Sequence, residues 1–111
     1  MYKGTIVEES LQDNRLLNEL KITSIRILKD ENPEARWHIY NIYSSYEDVS
    51  ELAKKIKKGW YMYFWFDREV IVVFENKIFE LNYDDKDSWY DTIQYGLSIG
   101  LTLEQLDFII D

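Results

Sequence analysis

The chain holds one histidine, His38, within Arg36-Trp37-His38-Ile39-Tyr40. An imidazole there can serve as a general base only if a carboxylate or phenol orients it and a pocket admits a substrate. Strand alternation sets Tyr40 on the face of His38. Glu8 or Glu9, in Val7-Glu8-Glu9-Ser10, can approach from a neighbouring strand. The chain has no cysteine, so a metal at His38 would draw every other protein donor from carboxylates. Asp84, Asp85 and Asp87 lie close together, but the stretch lacks the glycine and distal glutamate of a calcium loop. It reads as a solvated loop that caps a helix. Neither a glycine-rich phosphate loop nor a G-x-S-x-G nucleophile elbow is expected. With no motif around it, His38 reads as a structural or binding residue. No catalytic signature, metal set or cofactor emerges, and the expectation leans away from an enzyme.

Composition narrows the partners. Thirteen basic against 21 acidic residues give a net charge of −8, which opposes binding to a phosphate backbone and argues against nucleic acid. The one basic cluster, Lys54 to Lys58, reads as the cationic last turn of a helix, where it complements the helix dipole. The longest apolar run, Trp60 to Phe66, is too short to span a bilayer. With no signal-like segment and no cysteine, the expectation is a cytoplasmic protein. The length suits one domain over residues 1–111 with a core that needs no staples.

The elements that must position these residues follow from periodicity. Strands are expected at Tyr2 to Val7, Lys21 to Lys29, Arg36 to Ser44, Trp60 to Phe66, Val70 to Phe74 and Lys77 to Leu81. A short helix capped by Asp13 carries Leu16, Leu17 and Leu20 on one side. A second helix is capped by Ser44 or Ser45, buries Tyr46, Val49, Leu52, Ala53 and Ile56, and ends at Gly59. A third carries Trp89, Ile93 and Leu97 and ends at Gly100. Thr102 and Gln105 form a capping box that opens a short terminal helix. The fold class is α+β: a mainly antiparallel sheet of about five to six strands, with two main helices and short accessory ones. Its first six elements follow the split βαβ, ferredoxin-like order.

Trp60 to Phe66 raises the main question. Its seven residues are all large and apolar, and only Met62 is not aromatic. Trp60, Met62, Phe64 and Phe66 point one way, Tyr61, Tyr63 and Trp65 the other. Helices can cover the first set. The second has polar tips suited to a boundary with water, and needs a second copy of the protein, a ligand or peptide, or a terminal segment such as Leu106 to Asp111. Exposed aromatic patches mark interaction sites, and self-association supplies a partner readily. The expectation is a homo-oligomer, a dimer, whose ligand- or partner-binding residues are Tyr61, Tyr63, Trp65, His38, Tyr40 and Glu8.

Several stretches together resemble a known family. "YKGTIVEESLQD", "WHIY", "GWYMYFWF" followed by "VIVVFENKIFEL", and "YGLSIGLTLEQLDF" come in the order seen in short uncharacterised bacterial and archaeal proteins. Their pattern opens Tyr-x-Gly-x-Ile-x-Glu-Glu-Ser-Leu and closes near Gln-Leu-Asp-Phe. The resemblance covers nearly the whole chain. The family has no established activity, so the resemblance implies no function. Met62 and Tyr63 depart from its small residue and aspartate, and Leu101-Thr102-Leu103 from its Ile-Pro-Glu.

Two classes of function stand ahead of catalysis. One is a non-enzymatic homo-oligomeric binding module that takes a small molecule or peptide on its aromatic sheet face. The alternative is an acidic interaction factor, of inhibitor or immunity type, that binds a basic partner. An enzyme using His38 is the third.

Overall fold

In the computed structural model, which describes residues 1–110, six strands form one antiparallel sheet. They are β1 (Tyr2–Val7), β2 (Lys21–Ile27), β3 (His38–Ser44), β4 (Tyr61–Phe66), β5 (Glu69–Phe74) and β6 (Lys77–Asn82). Their order is β2-β3-β1-β4-β5-β6. The first four, all paired antiparallel, have the split βαβ arrangement, and β5 and β6 extend it by hairpins. The hairpin turns place Asp67 and Asn76 at positive φ, 54° and 56°, a region that short polar side chains tolerate.

On the first face lie Ile6, Ile42, Met62, Phe64, Ile71 and Val73. They pack under α1 (Tyr46–Leu52), the turn that follows it, and the 3₁₀ helix Asn14–Glu19. Ser45 caps α1 by accepting from the Asp48 N–H at 3.2 Å, and Asp13 caps the 3₁₀ helix by accepting from the Arg15 N–H at 3.0 Å. Gly4 sits in β1 opposite Phe64, and a Cβ there would overlap the Phe64 ring. The glycine is what lets that ring lie flat across β1.

The second face has its own core. Val70, Val72, Phe74 and Leu81 pack beneath Trp89, Leu106 and Phe108. Trp89 ends the 3₁₀ helix Lys86–Trp89 ahead of α2 (Tyr90–Ser98), and Leu106 and Phe108 belong to the irregular segment beyond it. The second face is therefore covered over β4, β5 and β6 and the first face over β1, β3, β4 and β5, while β2 is exposed except at Ile22. That is why Val70 to Phe74 is buried without interruption.

Several expectations are corrected. The helices divide between the faces instead of sharing one. Helix α1 ends at Leu52, well before Gly59, because Ile56 bridges to Leu11 and the Lys57 N–H donates to the Ser10 carbonyl at 2.8 Å. The lysine run lies largely beyond the helix and does not cap it. Tyr46 and Phe66 are exposed. Helix α2 buries Thr92 and Gly96 while Leu97 faces outward. Gly96 lets Leu106 approach, since a Cβ there would lie 2.7 Å from Leu106 Cδ2. The capping box forms reciprocally, with the Thr102 N–H donating to Gln105 Oε1 at 2.9 Å and the Gln105 N–H to Thr102 Oγ1 at 3.2 Å. It closes an isolated turn and opens no helix.

Candidate functional site

The residues singled out in the sequence fall into two groups on opposite faces. His38 and Tyr40 share the first face with Ile6, because Tyr40 pairs with Ile6 in the β1–β3 register. Tyr61, Tyr63 and Trp65 lie on the second.

The histidine group is closely knit. The strand β1 runs into a 3₁₀ turn, Glu8–Ser10, that brings both glutamates back over the start of β3. Glu9 Oε1 accepts from the His38 backbone N–H at 2.8 Å, and Glu9 Oε2 lies 2.8 Å from His38 Nδ1. Glu8 Oε1 accepts from the Tyr40 hydroxyl at 2.5 Å, and Glu8 Oε2 from Asn14 Nδ2 at 3.3 Å. Lys57 Nζ donates to the Glu9 carbonyl at 3.1 Å. The bond to Glu9 raises the pKa of His38. Partial burial pushes Glu9 upward, but the His38 ring and backbone donors outweigh it and leave Glu9 below its ordinary value. The Tyr40 pKa is raised by its bond to Glu8 and then by burial.

Chemically, the Glu9 carboxylate holds the imidazole by Nδ1 and leaves Nε2 as a base. None of the hydrogen bonds of this group brings a serine or threonine hydroxyl or a lysine amine to His38. Ligating atoms of Glu8, Glu9 and His38 lie within 4.8 Å of one another and can hold a metal ion. Every one of these side chains is already bonded within the chain, so a cation would have to displace those bonds. A cavity of about 370 Å³ beside the group is lined by Glu8, Glu9, Arg15 and Lys57. A larger one, about 580 Å³, lies between Asp13, Arg15, Glu19 and Lys55. Its charges include the Asp13–Arg15 pair, with Arg15 Nε 2.9 Å from Asp13 Oδ1, and they converge on nothing.

One motif was overlooked in the sequence. Gly96-Leu97-Ser98-Ile99-Gly100 has the letters of a nucleophile elbow. It sits at the end of α2, not between a strand and a helix, and the Ser98 hydroxyl donates back to the Tyr95 carbonyl at 2.6 Å. It is a helix end. The Asp84 to Asp87 loop is likewise structural. Asp84 accepts from Arg68 Nε at 2.8 Å and is held below its ordinary pKa by that bond. Asp85 makes no side-chain cap.

The aromatic group is partly closed by the chain itself. The Tyr61 hydroxyl donates to the Gln105 carbonyl. The Tyr63 hydroxyl donates to the Ile109 carbonyl at 2.9 Å and accepts from the Ile109 N–H at 3.0 Å. Phe108 stands edge-on to both rings, with centroids 6.0 and 5.3 Å away. Burial, followed by the neighbouring Tyr63 and Asp107 charges, pushes Tyr61 up to about 12. Of the three covers open to this face (a second copy, a ligand or peptide, and a terminal segment), the terminal segment lies over Tyr61 and Tyr63.

Trp65 stands at the border of the open half. Register sets three rows across it: Trp65–Lys3–Tyr43–Lys21, then Thr5–Asn41–Ser24, then Val7–Ile39–Arg26. The middle row is hydrogen-bonded, with the Thr5 hydroxyl donating to Asn41 Oδ1 at 3.0 Å and Asn41 Nδ2 to Ser24 Oγ at 2.8 Å. Lys21 Nζ lies 5.8 Å from the Tyr43 ring centre. Two cavities meet on this surface. One of about 240 Å³ is lined by Lys3, Thr5, Thr23, Asn41, Tyr43 and Trp65. The other, about 210 Å³, is lined by Thr5, Tyr61, Tyr63 and Trp65. Lys3, Thr5, Asn41 and Tyr43 were not among the sequence candidates. Polar residues at alternate positions of β1 and β3 were the available signal that this half of the face is open. No protein-family model matches the chain, and neither curated proteins nor solved structures include a significant match to it.

Proposed function

We propose that the protein is a non-enzymatic binding module that takes a small molecule or peptide group on the open half of its sheet. The observation that carries this reading is the row Trp65–Lys3–Tyr43–Lys21, which alternates aromatic rings with ammonium groups above the shared cavity. Rings offer stacking surface, ammonium groups attract negative charge, and the Thr5–Asn41–Ser24 row beside them fixes orientation through hydrogen bonds. The ligand class that suits this row is a flat ring bearing an anionic group. The reading needs no second copy of the chain. A naphthalene sulfonate is a suitable probe, followed by tryptophan fluorescence. It should bind the wild type, and Trp65→Ala and Lys3→Gln should each weaken it. Equal binding of a neutral naphthalene, or no effect of either substitution, overturns the assignment.

The second reading is an acidic interaction factor for a basic partner. It rests on the net charge of −8, and steep loss of partner binding with salt is its signature.

A further inference from the structure

With β6 at the far side, strand β2 is one of the two edges of the sheet. It pairs only with β3, and six of its seven residues are exposed. On an antiparallel edge, alternate residues turn their N–H and C=O groups outward, which makes a template for another strand. The two sides of this template differ in chemistry. Ile25 and Ile27 lie on the first face, opposite Tyr40 and His38, and are 56% and 54% exposed. Lys21 and Arg26 lie on the second face, opposite Tyr43 and Ile39. The register puts Lys3, Lys21 and Arg26 there, and no acidic residue stands among the second-face positions of β1, β2 and β3. This is a local reversal of sign in a chain with a net charge of −8.

We infer that β2 is a docking edge for an extended segment of another protein in which acidic and apolar residues alternate. Added beside β2, such a segment sets its apolar side chains next to Ile25 and Ile27 and its carboxylates next to Lys21 and Arg26. The main-chain ladder supplies affinity and the two-sided pattern supplies selectivity. A second copy of this chain fits the edge poorly, because an antiparallel β2–β2 pair stacks Lys21 and Arg26 of both copies on one face. Apart from the lysines at 54–58, which flank no sheet edge, a net charge of −8 disfavours acidic peptides, so acid selectivity can arise only where basic residues gather. This surface shares Lys21 with the ring-binding row, but Ile25, Arg26, Ile27 and the open main chain of β2 lie outside that row, so the proposal stands without it.

The test uses the full chain and a capped, fluorescently labelled heptapeptide alternating glutamate and valine. Fluorescence polarisation should show it binding more tightly than the glutamine–valine and lysine–valine versions. The double substitution Lys21→Glu, Arg26→Glu should weaken it by about tenfold or more, as expected for reversed charge at an interface. Ile25→Asn should weaken the glutamate and glutamine peptides alike. All these positions are exposed, and circular dichroism checks that the variants fold. N-methylation of the peptide on one set of alternate residues should abolish binding, while the other set is tolerated. Equal effects of the two methylated sets overturn strand addition. Tighter binding of the lysine peptide overturns the acidic partner. A β2-dependent dimer without peptide, lost in Ile25→Asn, also overturns the proposal and assigns the edge to a second copy.

Discussion

The Tyr63 hydroxyl clasps the backbone of Ile109, donating to its carbonyl at 2.9 Å and accepting from its N–H at 3.0 Å. One phenol in the middle of the sheet thus satisfies two main-chain groups of a segment that has no regular secondary structure. The arrangement lets a short irregular stretch cover aromatic surface without leaving its own polar groups unpaired. Leu106 and Phe108, both buried, are its apolar anchors.

Tyr63→Phe removes both bonds and keeps the ring. The expected cost is about 1–2 kcal/mol, two exchanged hydrogen bonds at a partly exposed site. Hydrogen exchange at Ile109 should rise sharply, while amides of β5 stay protected. Phe108→Ala should cost more, about 3–5 kcal/mol, as a fully buried aromatic. Chemical denaturation compares the two, and the opposite ranking would show that the hydroxyl, not the anchor, holds the segment.

Phe64→Ala should also cost about 3–5 kcal/mol, since the ring is fully buried in the first core. Gly4→Ala tests the same contact from the other side. Its Cβ would overlap the Phe64 ring, and overpacking of this kind costs about 1–3 kcal/mol. The two sites are coupled, so Gly4→Ala should cost much less in a Phe64→Leu background. Additive costs in a double-mutant cycle would break the link between them.

Much of this architecture was legible in the sequence. Alternation in Tyr2 to Val7 gave β1 its bounds. That Glu8 or Glu9 can approach His38 from the end of the first strand also follows from the sequence. Which glutamate takes the histidine does not, because the 3₁₀ turn Glu8–Ser10 decides it. The apolar run Val70 to Phe74 demanded cover on both faces but could not say whose. Leu106 to Ile110 has no period, and its decisive contact is the Ile109 main chain, which no side-chain pattern encodes. Helix α1 was overestimated for a related reason: Lys54 to Lys58 satisfies a helix-end rule, yet the tertiary bonds of Ile56 and Lys57 to the Ser10–Leu11 segment end the helix first.

Tyr61 gives an optical readout of the same cover. Burial and the adjacent charges push its pKa up to about 12, against an ordinary value of about 10. In a spectrophotometric titration the highest-pH tyrosine step should vanish in Tyr61→Phe. Truncating the chain after Thr102 should bring that step down toward the others, since the main-chain partner and the cover go together. An unchanged step after truncation would place the desolvation elsewhere.

The His38–Glu9 pair should make stability depend on pH within a definite window. The folded pKa of His38 is raised above 6.5 chiefly by the Glu9 bond. Its contribution is therefore complete below pH 6.5 and is lost as pH rises through the raised folded value. Glu9 is shifted the other way. Burial raises it, but the His38 donors prevail and its folded pKa falls below 4.5. Its contribution is present above pH 4.5 and is lost as pH falls through the lowered folded value. The pair thus stabilises the protein most between the two ordinary values, 4.5 and 6.5. Both side chains are partly exposed, so solvent and salt screen the effect and it should shrink at high ionic strength. Urea denaturation of the wild type and of His38→Gln, repeated across pH, measures the difference. It should be largest within the window and diminish above it, without vanishing, because a neutral imidazole still donates from Nδ1 to Glu9. A difference that stays flat from pH 4 to pH 9 would show that His38 holds its place by packing and not by charge.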